Sequence, residues 1–209
     1  MSEITKGSVW FTPDKPIDGD VWFIADTHFN HRNIIKYCYR PWNSGGNGEP
    51  TPEDVEAMNE AMIRNWNEYV GKDDVVWHLG DFCLGRDQDN EIPRIVERLN
   101  GKINLVLGNH DNQTIQFYYD AGFNRVYDRD VLLNDFIILS HAPKEFVKAP
   151  FFNVYGHVHD CSTYKTYSED SCCVCVERHN YRPVCWEEIR QTYASTRSCH
   201  EEEINNRKD

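Results

Sequence analysis

Val21-Trp22-Phe23-Ile24-Ala25-Asp26-Thr27-His28 is the stretch whose reading decides the fold. Val21 to Ala25 run apolar without interruption and stop at a carboxylate, as a buried parallel strand does where it enters a polar loop. Val75 to Leu79 repeat the pattern ahead of Gly80-Asp81, and Ile103 to Leu107 repeat it ahead of Gly108-Asn109-His110-Asp111. Polar chemistry therefore sits at strand ends.

Between these strands the period changes. Thr51-Pro52-Glu53-Asp54 reads as an N-cap, a first-turn proline and early acids, and Val55, Met58, Met62, Trp66 and Tyr69 recur at helical spacing before Gly71. Ile92 to Leu99 predict a second helix, and Arg32 to Cys38 a short one. Alternating strands and helices imply α/β layering. Beyond Arg125 the texture shifts to short strands, Val131 to Leu133, Phe136 to Leu139, Asn153 to Tyr155 and Cys173 to Glu177, which predict a second and more antiparallel sheet. Trp186 to Tyr193 predict a closing helix. The expectation is one domain over residues 1–194, with a polar tail over 195–209. The Gly-, Asn- and Pro-rich segment Pro41 to Pro50 reads as a surface connector, with a substrate-side lid as the functional alternative.

At 209 residues the chain can bury a two-layered core, and its net charge of -12 disfavours nonspecific attraction to nucleic acid or an anionic membrane. No run approaches the ~20 apolar residues of a membrane helix, and no basic stretch leads into an apolar segment near Met1, so a soluble, cytoplasmic protein is expected. The eight cysteines read as reduced thiols. Cys172, Cys173, Cys175 and Cys185 lack the Cys-x-x-Cys spacing of common zinc modules, and Cys173 and Cys175 fit alternate positions of a strand.

Five segments carry the chemistry: Asp26-Thr27-His28, Gly80-Asp81, Gly108-Asn109-His110-Asp111, Ser140-His141 and Gly156-His157-Val158-His159. In an extended segment, Asp-x-His and His-x-His put their first and third side chains on one side, where they can converge on a small volume. The glycines preceding Asp81, Asn109 and His157 suit backbone that turns sharply or approaches another strand closely. Carboxylate, amide and imidazole donors without cysteine suit Mn, Fe, Zn, Ni or Co.

Taken in order and at strand ends, these motifs resemble those of the calcineurin-like metallophosphoesterases over Val21 to His159, most closely the small single-domain bacterial and phage members. The resemblance implies a four-layer α/β/β/α sandwich of two mixed sheets flanked by helices. It implies two divalent ions, Mn most readily: one held by Asp26, His28, Asp81 and His159, the other by Asp81, Asn109, His141 and His157, with Asp81 bridging. Ions about 3.5–4 Å apart would acidify a bridging water and polarise phosphoryl oxygens. Two such ions, set against two carboxylates and one hydroxide, leave one positive charge to attract phosphate. His110 would stabilise the transition state or protonate the leaving oxygen, and Asp111 would orient its ring.

Phosphoprotein phosphatases of the superfamily extend the Gly-Asp motif with an acid and a phosphate-gripping arginine, whereas this chain runs Gly80-Asp81-Phe82-Cys83-Leu84-Gly85-Arg86. The expected activity is therefore phosphodiesterase on a phosphate ester, with a nucleotide-like substrate among the candidates. A nuclease or phosphomonoesterase is the enzymatic alternative, and a non-catalytic metal-binding scaffold the alternative of another class. His78 reads as a buried core histidine, and His179 and His200 as surface residues. His31 suits a site-facing residue and an exposed helix start equally.

Overall fold

The computed structural model describes residues 9–11, 20–46, 48–85 and 87–191; the expected tail and His200 lie outside them. Ten strands are described: β1 Val9–Phe11, β2 Val21–Ile24, β3 Val75–His78, β4 Lys102–Val106, β5 Arg125–Tyr127, β6 Val131–Leu133, β7 Ile137–Ser140, β8 Phe152–Tyr155, β9 Ser171–Cys173 and β10 Val184–Cys185. The helices are α1 Arg32–Tyr37, α2 Pro52–Tyr69, α3 Gln88–Arg98, α4 Ile115–Asp120 and α5 over residues 186–191.

The strands form two mixed five-stranded sheets, ordered β10-β2-β3-β4-β5 and β1-β6-β7-β8-β9, and helices flank them. In the first sheet β2, β3, β4 and β5 are parallel and β10 is antiparallel to β2. The second sheet is less antiparallel than the sequence predicts: only β6 and β7 run in opposite directions, while β1–β6, β7–β8 and β8–β9 are parallel. Short apolar runs do not reveal pairing direction, which is set by the path of the connections.

Alternate residues of the central strands face different cores, as the two-residue period requires. Phe23, Trp77 and Val106 pack between the sheets with Leu133, Leu139, Phe152 and Val154. Trp22, Ile24, Val76, Ile103 and Leu105 face the helices, meeting Met58, Met62 and Trp66 of α2 and Ile92 and Ile95 of α3. The strand ends that carry polar chemistry thus stand on strands buried on both faces, where each apolar side chain contributes about 1.5–3 kcal/mol.

Helix α2 begins at the capping box its sequence predicts. Thr51 Oγ1 accepts from Asp54 N–H at 3.2 Å, and Asp54 Oδ2 accepts from Thr51 N–H at 2.8 Å. The other Asp54 oxygen accepts from Ser44 N–H at 3.1 Å, which ties the 41–50 connector to the helix start.

Three further readings change. The predicted strand Cys173 to Glu177 ends at Cys173, after which Cys175 bridges Ala25 and Val176–Arg178 form a 3-10 turn. α4 and β5, too short for periodicity to expose, join the first sheet's edge. His179 is buried, and its Nε2–H donates to the Cys173 carbonyl at 2.8 Å.

Thr51→Ala removes half of the capping box and should destabilise the protein by about 1 kcal/mol, seen as a fall in melting temperature of roughly 2–4 °C. An unchanged melting curve would show that the cap adds nothing to α2.

Candidate metal centre

All the motif loops leave the C-terminal ends of parallel strands, and the two sheets bring those ends to one edge. β2 delivers Asp26 and His28, β3 delivers Asp81, β4 delivers Asn109 and His110, β7 delivers His141, and β8 delivers His157 and His159. The sheets are laced together there, with Ala25 N–H donating to Val174 O at 2.9 Å and His157 N–H to Asp26 Oδ2 at 2.7 Å.

The backbone turns inward through left-handed conformations. Asp26, His28, Asp81, His157 and His159 have φ of 58, 47, 57, 72 and 48°. Each such residue costs on the order of 1–3 kcal/mol, a strain that concentrates at functional sites. The motif glycines make the crowding tolerable. A Cβ on Gly108 would lie 2.2 Å from Asp81 Oδ1, and one on Gly156 would lie 2.4 Å from Ala25 Cβ and 2.5 Å from Asp26 Oδ2. Gly80 adds a φ of 93° to a 2.5 Å approach to Gly108 N.

Two groups of donor atoms result, Asp26 with His28 and His159, and Asp81 with His141 and His157; within each, the atoms lie within 4.8 Å of one another. Asp81 Oδ2 stands 3.5 Å from both His28 Nε2 and His141 Nε2, so one oxygen faces both groups. Asn109 Oδ1 joins the second group, 2.9 Å from His141 Nε2.

The donor chemistry fits cations. His141 Nδ1–H can only donate to the Leu79 carbonyl, 2.8 Å away, which turns Nε2 towards the cluster. That nitrogen lies 2.9 Å from Asn109 Oδ1 and 3.1 Å from His157 Nδ1, so donor atoms of three side chains converge where an ion could be held. In the first group Asp26 Oδ1 and both nitrogens of His28 are buried without a hydrogen-bond partner. Burial pushes the Asp26 carboxyl up to about 6, the cost of an anion held without a full counter-charge. Burial also drives His28 and His157 down, keeping their rings neutral. For His159 burial acts downward, but Cys38, Glu177 and Asp26 outweigh it and raise the ring to about 11; an ion would take the place of that proton. Asn109 and His157 are exposed while Asp26 and Asp81 are buried, so the cluster is open on the second group's side.

His110 lies outside both groups of donors. Its ring is 5.5 Å from that of His28, and its N–H donates to Asp81 Oδ1 at 2.9 Å. Asp111 takes a different part from the one expected: its carboxylate accepts from the N–H groups of Asp81 at 2.7 Å, Gly108 at 2.8 Å and Phe82 at 3.0 Å, stapling two motif loops together. His31 packs against His28 with ring centroids 5.3 Å apart, and burial lowers it to about 4. His78 is the buried core residue expected. Gly80 N–H donates to its Nδ1, its Nε2–H donates to Thr27 Oγ1 at 2.9 Å, and the Thr27 hydroxyl donates to Phe82 O at 2.8 Å.

Sequence reasoning missed the buttress behind the first group. Arg40, buried, donates from its terminal nitrogens to the carbonyls of Asp26 and Thr27, both at 2.8 Å, and to Glu177 Oε1 at 2.7 Å. Glu177 Oε1 also accepts from His159 Nδ1–H at 3.0 Å, which orients the ring with Nε2 towards Asp26. Cys175 S–H donates to Asp26 Oδ2 at 3.2 Å, and Cys173 Sγ lies 3.3 Å from Cys175 Sγ. An arginine after a short helix and an acid after a cysteine run carry no motif; only the tertiary fold joins them.

A family model described as calcineurin-like phosphoesterase matches residues 19–196. An uncharacterised protein of Methanocaldococcus jannaschii is 34% identical over 171 residues, which cover 78% of this chain and 85% of that protein. The Gene 66 protein of Mycobacterium phage L5 is 32% identical over 94 residues, 44% of this chain and 40% of that protein. A crystal structure of a protein of unknown function from Aquifex aeolicus superposes with a TM-score of 0.58 at 24% identity, covering 84% of this chain and 100% of that one, which bears on the fold alone.

Asp111→Ala strands three main-chain N–H groups and should destabilise the protein by at least about 3 kcal/mol, at roughly 1–3 kcal/mol for each unmet donor. Thermal unfolding measures it; a variant that melts normally but loses turnover would move Asp111 from scaffold to chemistry.

Proposed function

The chain belongs to the calcineurin-like phosphoesterases, metal-dependent hydrolases of phosphate-ester bonds, and from that premise we propose that it is a phosphodiesterase working at a dinuclear centre. Asp26, His28, Asp81 and His159 hold one ion in this reading, and Asp81, Asn109, His141 and His157 hold the other. The observation that carries it is the single Asp81 oxygen 3.5 Å from a histidine of each group, where one carboxylate can serve two ions. Such ions, Mn²⁺ foremost, supply an acidified water and neutralise charge building on the phosphoryl group.

The protein's own residues do the rest. Gly108 and Gly156 keep the loops close enough for Asp26 and Asp81 to face the donors from the second sheet. His110, beside His28 and outside both donor groups, serves the leaving oxygen, giving a proton or a hydrogen bond as charge develops there. Phe82 and Cys83, which follow Asp81, are buried in the core, so nothing at those positions reaches a phosphate. With no arginine there to grip a dianion, the single charge of a diester suffices, hence the preference for diesters. We place the activity in the cytoplasm, on a nucleotide-like ester.

A chromogenic phosphodiester and the matching monoester, each assayed with Mn²⁺ and with chelator, test this. Metal-dependent turnover favouring the diester is expected, and a monoester preference would overturn the specificity. His110→Ala should retain both ions and lose about 10²–10⁴ in kcat, whereas Asp81→Ala should lose metal as well. Metal analysis that found His110→Ala depleted would move His110 among the ligands.

A further inference from the structure

Behind His159, on the side away from Asp26, lies a third group of donors. Cys38, His159 and Glu177 place a sulfur, a ring nitrogen and a carboxylate oxygen within 4.8 Å of one another. The Glu177 side chain is only 4% exposed, and while Oε1 carries Arg40 and His159, Oε2 is buried without a partner. Cys38, just past the end of α1, is a free cysteine and partly exposed.

We propose that Cys38, His159 and Glu177 form a separate, inhibitory site for a borderline-soft divalent ion of the zinc type. The donor set separates this site from its neighbour. Thiolate, imidazole and carboxylate are zinc ligands, and the sulfur sets this site apart from the adjacent groups, which offer none in either ligand set. The Cys38 thiolate and the Glu177 carboxylate set two negative charges against the two of the ion and the one of Arg40, leaving a single net positive charge, and Arg40 keeps its bonds to Glu177 Oε1 and to the Asp26 and Thr27 carbonyls. Binding releases two protons to solvent, one from the Cys38 thiol and one from His159 Nδ1, and forms bonds from sulfur, nitrogen and Oε2 to the ion.

His159 belongs to both sites. An ion on Nδ1 takes the place of the Nδ1–H bond to Glu177 that orients Nε2 towards Asp26, and so disturbs the ring's place in the first group. Inhibition by this ion therefore rests on the proposed function, whereas occupancy of the site does not.

Cobalt(II) reads occupancy directly, because only a thiolate ligand gives a near-ultraviolet sulfur-to-cobalt charge-transfer band. Excess Co²⁺ added to the full-length protein should produce that band, Cys38→Ser should abolish it, and Cys175→Ser should keep it. In the Mn²⁺ assay the Zn²⁺ needed for half-inhibition should rise roughly tenfold in Cys38→Ser, the scale on which a lost group near a metal acts. A melting temperature matching the unsubstituted protein shows that Cys38→Ser is folded; Cys38→Ala, read the same way, replaces it if it is not. Absence of the band, its survival in Cys38→Ser, or its loss in Cys175→Ser alone would each overturn the site. If no ester were hydrolysed but the band appeared and depended on Cys38, the site would stand and the proposed function would fall.

Discussion

Carboxylate, amide and imidazole groups crowd together at the centre of this molecule, and the rest of the structure is arranged to keep them there. His141 Nε2 lies 2.9 Å from Asn109 Oδ1 and 3.1 Å from His157 Nδ1, and Asp81 Oδ2 lies 3.5 Å from two histidines. Holding them there is costly, because Asp26 Oδ1 and both nitrogens of His28 are buried without a hydrogen-bond partner, and an unmet polar group in a low-dielectric pocket is expensive. A chain free to move would turn these groups towards solvent. That it does not is the work of two sheets whose central strands are buried on both faces and end at the same edge.

The opposing forces are local and identifiable. Left-handed backbone at Asp26, His28, Asp81, His157 and His159 aims side chains inward at a cost, and main-chain hydrogen bonds hold each turn. Asp111 gathers three N–H groups from the Asp81 and Asn109 loops. Asp26 commits Oδ2 to His157 N–H and the Cys175 thiol, which leaves Oδ1 as the inward-facing oxygen. Arg40 binds the carbonyls of the Asp26 loop and, through Glu177, the ring of His159. Because Arg40 and Glu177 are buried, removing either would leave its partner an uncompensated charge, which makes the pair a constraint more than a source of stability.

Strands β2, β3 and β4 of the first sheet were legible in the sequence because their largely apolar runs stop at polar turns, whereas β5 and β10 were too short to read. Helix α2 was legible because its cap and its apolar stripe agree. The donor residues could be picked out because Asp-x-His, Gly-Asp, Gly-Asn-His-Asp and His-x-His are local patterns. What could not be read depends on contacts distant in sequence. The parallel pairing of β7, β8 and β9 is decided by crossovers, and the burial of His179 by a turn packed on β9. The buttress joins Arg40 to Glu177 across 137 positions. Asp111 shows the limit most clearly, since its place beside His110 suggested a ring-orienting partner while its oxygens were already taken by backbone N–H groups.

Burial makes the two donor groups unequal, and this bears on how a substrate can approach. Asp26 and His28 are buried and buttressed from behind by Arg40, Glu177 and Cys175, which leaves no room for an ester on that side. Asn109 and His157 are exposed, so the second group forms the face open to solvent. In a chain with a net charge of -12, an anionic ester gains nothing from the general surface and must find its positive charge at this opening. The ion in the deeper group would then serve to anchor and acidify, and the ion nearer solvent to receive the ester. Asp81, shared between them, would couple the two tasks.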